Sequence, residues 1–228
     1  MPLNISVFVP EGIIVSSDTL AFVKNGDEGY FSTAVRTFCL WDRYILSFAG
    51  EGYIDGMPYG YYISLFLKKN DSDRCQTVND FAKLFIDFMG KYSSLDKVII
   101  YCAGYDISDT DFVPCLMLID KGDIIRLNYD SDNSQVLYNY HVVGNSLWIN
   151  KLFLSTTFVD NVICQKETFN AANIDFSKYS VKTAVDFSKF LFDLTGKMDL
   201  ITQTRPSVNN EITVAVVTPL GKTNIYKI

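Results

Sequence analysis

Few residues in this sequence are able to do chemistry, and they are scattered. His141 is the only histidine. It stands inside the apolar run Val136 to Val143, so any Ser-His-Asp or Cys-His arrangement has to pass through it. No motif surrounds it, and it reads as a structural side chain. The five cysteines, Cys39, Cys75, Cys102, Cys115 and Cys164, are odd in number and widely spaced. No Cys-x-x-Cys pair occurs, which argues against a zinc knuckle and a disulfide framework and for buried, reduced thiols. Asp130-Ser131-Asp132-Asn133-Ser134 alternates oxygen ligands but lacks the glycine and distal glutamate of a calcium loop. Gly50-Glu51-Gly52 with Gly56 approximates a dinucleotide fingerprint only loosely, and it enters a helix from a hairpin rather than from a βαβ unit. Neither a metal nor a cofactor is expected.

The elements that position these residues follow from periodicity. Leu3, Ile5, Val7 and Val9 alternate with Asn4, Ser6 and Phe8, the pattern of a strand with one apolar face. Pro10-Glu11-Gly12 is turn chemistry, and Ile13-Ile14-Val15 resumes a strand, giving an N-terminal hairpin. A polar, glycine-bearing loop, Lys24 to Gly29, leads to a second hairpin, Val35–Leu40 and Tyr44–Gly50, around Trp41-Asp42-Arg43. Tyr53 to Lys69 carries apolar residues at helical spacing. A second helix, with the stripe Val78, Phe81, Ala82, Phe85, Phe88 and Met89, is capped by Thr77 and stops near Gly90. Strands are expected at Lys97–Gly104, Phe112–Ile119, Ile124–Tyr129 and Val136–Val143. Ser146–Phe158 and Ser180–Thr195 read as helices, the latter closed by Gly196. A final hairpin, Glu211–Val217 and Lys222–Ile228, turns at Pro219-Leu220-Gly221. Blocks of strands and helix pairs in this order point to two sheets packed together with helices outside.

The chain has 228 residues, 48% of them hydrophobic, 14% aromatic and 20% charged. That is enough apolar material for one core, and a single domain over 1–228 is expected. The formal net charge of -6 repels phosphate backbones and anionic lipid heads, so neither nucleic acid nor a membrane is an expected partner. No run approaches the length of about 18 apolar residues needed for a membrane span, and the N-terminus lacks the pattern of a signal peptide. A cytoplasmic location is expected. The aromatics Tyr59, Tyr61, Tyr62, Phe81, Phe85 and Phe88 lie on the first two helices, where helical spacing makes them core or a subunit interface.

Four segments in this order resemble the proteasome β-type subunits of the N-terminal-nucleophile hydrolase family and their bacterial relatives, over nearly the whole chain. They are Glu11-Gly12-Ile13-Ile14-Val15-Ser16-Ser17-Asp18, Tyr44-Ile45-Leu46-Ser47-Phe48-Ala49-Gly50, Ile99 to Asp106 with its Gly-Tyr-Asp ending, and Gly144-Asn145-Ser146. The resemblance implies an α+β fold, a four-layer αββα sandwich of two antiparallel sheets. The chain starts directly on its first strand, which fits the β-type rather than the α-type.

The family's chemistry needs a threonine, serine or cysteine as first residue of the mature chain, so that its own α-amino group serves as base. Counting back from Gly12 puts Pro2 at that place, with neither hydroxyl nor thiol. The family's aspartate matches Asp18, and its lysine matches Arg36, which keeps the charge but does not deprotonate. The remaining site residues fall near Ser146 and Asp199, although Ser207-Val208-Asn209-Asn210 replaces the family's Ser-Gly-Gly. Asp18 and Arg36 read either as a buried ion pair joining two hairpins or as the remains of a site. The resemblance therefore implies a structural subunit with a degenerate site that assembles with itself or related subunits. Two other readings are a peptidase or amidohydrolase with an unconventional site acting on a peptide or protein, and a module binding a small molecule or peptide in the vestigial cleft.

Overall fold

The computed structural model describes residues 3–25, 28–50, 52–92, 98–107, 111–144, 148–149, 174–202, 208–209, 211–221 and 223–227. Sixteen strands are found among them. They are β1 (Asn4–Val9), β2 (Gly12–Asp18), β3 (Leu20–Asn25), β4 (Glu28–Thr33), β5 (Thr37–Leu40), β6 (Tyr44–Gly50), β7 (Tyr53–Ile54), β8 (Met57–Pro58), β9 (Val98–Ile107), β10 (Phe112–Asp120), β11 (Asp123–Arg126), β12 (Tyr129–Asp130), β13 (Gln135–Val136), β14 (Tyr140–Val143), β15 (Ile212–Val217) and β16 (Thr223–Lys227). Three α-helices accompany them: α1 (Tyr59–Lys69), α2 (Val78–Met89) and α3 (Val181–Ile201).

Two five-stranded antiparallel sheets carry the fold, in the orders β14-β1-β2-β15-β16 and β11-β10-β9-β6-β5. Helices α1 and α2 cover the second sheet with a core of Leu46, Phe48, Phe66, Phe81, Phe85 and Ile100. Helix α3 covers the first with Leu191 and Phe192 against Ile5, Val7, Ile14 and Val214. A third core joins the sheets through Phe8, Ile13, Val15, Ile45, Tyr101 and Leu116. Stacked rings at 4.3 Å, Tyr44 on Phe81 and Phe48 on Tyr59, tie the second sheet to its helices.

Several boundaries differ from the sequence reading for physical reasons. Strand β1 has no solvent face: Asn4, Ser6 and Phe8 are as buried as Leu3 and Ile5, because a second sheet covers them. Lys24, Asn25, Glu28 and Gly29, expected in a loop, pair as the ends of β3 and β4, Lys24 with Gly29 and Asn25 with Glu28. Helix α1 starts only at Tyr59, because Asp55 and Gly56, both at positive φ, turn the short hairpin β7–β8. Gly196 does not end α3; a glycine closes a helix by turning left-handed, and Gly196 is not among the positive-φ residues. The strand expected over 136–143 is interrupted, with β13 paired to β12 and β14 paired to β1. The helix expected at Ser146–Phe158 lies outside the described residues except at Trp148 and Ile149.

Thr77 caps α2 as expected: its hydroxyl accepts from Asp80 N at 3.0 Å, and its own N donates to the Asp80 carboxylate at 3.1 Å. Asp106, the end of the Gly-Tyr-Asp triplet, accepts from Val78 N at 2.7 Å at the same helix end. A side chain on Gly104 would sit 2.9 Å from the Arg43 carbonyl oxygen. That triplet therefore records packing of β9 against α2 and the β5–β6 turn.

Candidate functional site

Strand register brings several chain segments to one end of the two-sheet body. Asn4 pairs with Val143 on one side and Ser17 on the other, and Asp18 pairs with Ile212. Asp18 N donates to the Leu3 carbonyl at 3.3 Å. The start of β1 and the end of β2 are thus neighbours, and β14 ends beside them. Helix α3 starts at the other end, where Val181 N donates to the Glu11 carboxylate at 3.0 Å. Midway along it, Ser188 Oγ donates to Ser16 Oγ at 2.8 Å. From there to Asp199 the helix climbs about 16 Å at about 1.5 Å per residue, toward the Asp18 end. Asp199 is buried and its Oδ1 accepts from Trp148 Nε1 at 3.3 Å. Pro2 and Ser146 lie outside the described residues.

Asp18 is sealed from solvent, and neither carboxylate oxygen has a hydrogen-bond partner among the described residues. Burial pushes its carboxyl up to about 7, against the opposing pull of the Arg36 guanidinium. Arg36 is 1% exposed. Its Nη1 donates to the Gly50 carbonyl and its Nη2 to the Leu20 carbonyl, each at 2.9 Å. Burial pushes the guanidinium pKa down, while the Tyr59 phenol and Asp18 oppose that shift. Asp18 and Arg36 share one electrostatic neighbourhood, but no ion pair between them is found among the described residues. The ion-pair expectation is corrected accordingly: Arg36 spends its fork on backbone carbonyls at the base of β3 and the end of β6.

Beside this pair runs a buried polar seam between the two sheets, which periodicity alone did not reveal. Ser17 Oγ meets Thr37 Oγ1 at 2.7 Å, Thr37 Oγ1 meets Ser47 Oγ at 2.8 Å, and Asn4 Nδ2 donates to Ser47 Oγ at 3.1 Å. The four residues are 0–1% exposed, so each hydroxyl is satisfied only by the next. Farther along, the Tyr101 hydroxyl meets His141 Nδ1 at 2.8 Å, and burial pushes the His141 pKa down. At the edge of the Asp18 end, Asn209 Nδ2 donates to Thr19 Oγ1 at 2.7 Å while Thr19 N donates to Asn209 Oδ1 at 3.2 Å. Asn209, in the stretch that departs from Ser-Gly-Gly, thus anchors the chain next to Asp18. The available signal was one or a few small polar residues in otherwise apolar strands, Asn4 and Ser6 in β1, Ser16 and Ser17 in β2 and Ser47 in β6.

A cleft of about 380 Å³ opens at the opposite end, around Trp41, Arg43, Tyr105, Phe112 and Leu220. It is formed by the β5–β6 and β15–β16 turns with the end of the β9–β10 hairpin at which Ile107 pairs with Phe112, away from Asp18. The cysteines Cys75, Cys102 and Cys115 are buried, Cys39 is half-buried, and all four are free. No described helix is long and apolar enough to cross a membrane.

No family model matches the chain, and no curated protein matches it in sequence. Its fold is similar to solved structures of ancestral β-subunits. Anbu (ancestral β-subunit) from Yersinia bercovieri is 13% identical with a TM-score of 0.65, the match covering 99% of this chain and 86% of that one. An Anbu (Gly-1) mutant from Hyphomicrobium sp. strain MC1 is 12% identical with a TM-score of 0.65, covering 100% and 87%. Anbu from the same strain is 13% identical with a TM-score of 0.62, covering 99% and 87%. Such identities carry the fold alone. The assignment to the proteasome β-type, N-terminal-nucleophile family is therefore corrected: four short segments resemble that family, but no family model matches, and the likeness found is to ancestral β-subunits. The chain is an α+β protein of antiparallel sheets and helices whose fold is like that of ancestral β-subunits.

Proposed function

We propose that this chain is a structural, self-assembling subunit, a single domain with the four-layer arrangement of helices, sheet, sheet and helix, acting in the cytoplasm without an N-terminal nucleophile. The observation that carries the reading is the state of Arg36. A poised catalytic cation needs a free face toward substrate, whereas both fork nitrogens of this buried guanidinium are bonded to the Gly50 and Leu20 carbonyls. Asp18 beside it is fully buried. Pro2, at the position that counting back from Gly12 gives the nucleophile, carries neither hydroxyl nor thiol. Similarity in fold to ancestral β-subunits supports partners that are copies of this chain or related subunits.

Native mass and peptide turnover test it together. The expected result is a particle larger than the 25.8 kDa chain with no hydrolysis of unstructured peptides. A monomer, or peptide turnover abolished by Asp18→Asn, overturns it.

One observation favours a second reading, a hydrolase with an unconventional site. A carboxyl pushed up to about 7 is half-protonated near neutrality, the condition for a general acid or base. In that reading Asp18 exchanges the proton, Asp199 on α3 contributes beside it, and Ser146 belongs to the reading by sequence alone. Turnover that rises or falls through about pH 7 and vanishes in Asp18→Asn distinguishes it.

A further inference from the structure

Strand β16 is the last strand of its sheet, bonded to β15 on one side and, among the described residues, to nothing on the other. Edge strands are commonly blunted by charge, proline or a bulge, because an open row of N–H and C=O groups templates pairing with another chain. Thr223-Asn224-Ile225-Tyr226-Lys227 holds no proline, and its one charge is at its end. Ile225 pairs with Ala215, part of the core between the sheets, and Tyr226 with Val214, part of the core under α3. Ile225 and Tyr226 are 47% and 48% exposed, so both cores stop half-finished at this edge.

We propose that β16 pairs antiparallel with β16 of a second copy of this chain, about a two-fold axis through Ile225. The sequence is self-complementary in that register. Ile225 faces Ile225 of the second copy, Asn224 faces its Tyr226, and Thr223 faces its Lys227, so no like charges meet. The added strand continues each sheet into the other, and each copy's Ile225 and Tyr226 extend the apolar faces of its partner. A two-fold contact of this kind is closed and needs only one surface patch. Thr223 Oγ1, which donates to the Asp42 carboxylate at 3.1 Å, holds the strand's start against the β5–β6 turn and so presents a fixed edge.

This inference rests on the reading of the chain as self-assembling and adds the surface through which it does so. The test is native mass spectrometry of the full chain, with circular-dichroism melting to confirm that each variant is folded. Ile225→Lys and Ile225→Glu each place like charges on the axis, and each is expected to halve the native mass of the wild-type particle. Mixing the two is expected to restore it, because only a two-fold register sets residue 225 against itself. A wild-type monomer overturns both this inference and the proposed function. A wild-type assembly whose mass survives Ile225→Lys, or is lost in both variants without recovery on mixing, overturns the β16 pairing alone.

Discussion

Arg36 donates to the Leu20 carbonyl at 2.9 Å, two residues beyond Asp18, instead of closing an ion pair with the Asp18 carboxylate. The guanidinium thereby joins the base of β3 to the last residue of β6, whose Gly50 carbonyl takes its other fork nitrogen. Phe48 N donates to the Arg36 carbonyl at 3.0 Å, so side chain and backbone both serve the same junction.

Arg36→Ala takes the guanidinium donors away from the buried Gly50 carbonyl and the part-buried Leu20 carbonyl. Arg36→Ala is expected to destabilise the fold by roughly 2–5 kcal/mol, since an unsatisfied buried polar group costs about 1–3 kcal/mol. Arg36→Lys, a single point of donation in place of a planar fork, is expected to fall between wild type and Arg36→Ala. Urea midpoints of the three proteins check the order.

Asp18 makes stability depend on pH with a definite sign. Its folded pKa of about 7 lies above its ordinary 3.8, so the folded chain holds a proton that the unfolded chain has released. Its contribution is fully present below about 3.8 and is lost as pH rises through about 7. His141 works in the opposite direction, because its pKa lies below the ordinary 6.5 and stability is lost as pH falls below that value. The difference between wild type and Asp18→Asn isolates the carboxyl. From pH 5 to pH 8 the variant is expected to gain stability relative to wild type by a few kcal/mol, about 1.4 kcal/mol per unit of pH over which only the folded carboxyl is protonated. Chemical denaturation at the two pH values reads this directly.

The hydroxyl seam is expected to act as a unit. Thr37→Val keeps shape but removes the oxygen that meets both Ser17 and Ser47. A loss of about 1–3 kcal/mol is expected, and Thr37→Ser, which keeps the oxygen, is expected to lose less. A double-mutant cycle of Thr37→Val with Ser47→Ala is expected to show coupling of about 0.5 kcal/mol or more.

Thr77→Ala removes one half of the reciprocal cap of α2 and is expected to cost about 1 kcal/mol. Amide exchange in the first turn, at Val78 to Asp80, is expected to speed up more than exchange at Phe85, which lies in the packed centre. Equal acceleration throughout the helix would show that the cap governs the whole element rather than its end.

How much of this was legible in the sequence depends on the range of the interactions involved. The Thr77 cap, the stripe of α2, the β1–β2 and β5–β6 hairpins and the Pro219-Leu220-Gly221 turn depend on neighbours a few residues away, and local spacing carries them. Locally written signals also misled where local chemistry was not decisive: Gly196 is a capping residue by type, but without a left-handed φ it remains inside α3. The segment from Tyr53 had helical spacing, yet two residues at positive φ made a hairpin that runs through Pro58, before α1 begins at Tyr59.

The sequence by itself determined the mix of antiparallel strands and helices, the β1–β2, β5–β6 and β15–β16 hairpins, the helix α2, and the residues Asp18, Arg36 and Asp199 as candidates. Only the tertiary structure decided what surrounds them. Asn4, Ser17, Thr37 and Ser47 have the polarity of a solvent face, and nothing local distinguishes them from one; burial beneath a second sheet turns them into an internal seam. Asp18 and Arg36 have the charges of an ion pair, but the direction of the Arg36 side chain, set by the Leu20 and Gly50 carbonyls, assigns the guanidinium to the backbone. Charge and periodicity are properties of the chain, whereas desolvation and partnership belong to segments that meet only when the two sheets close on each other.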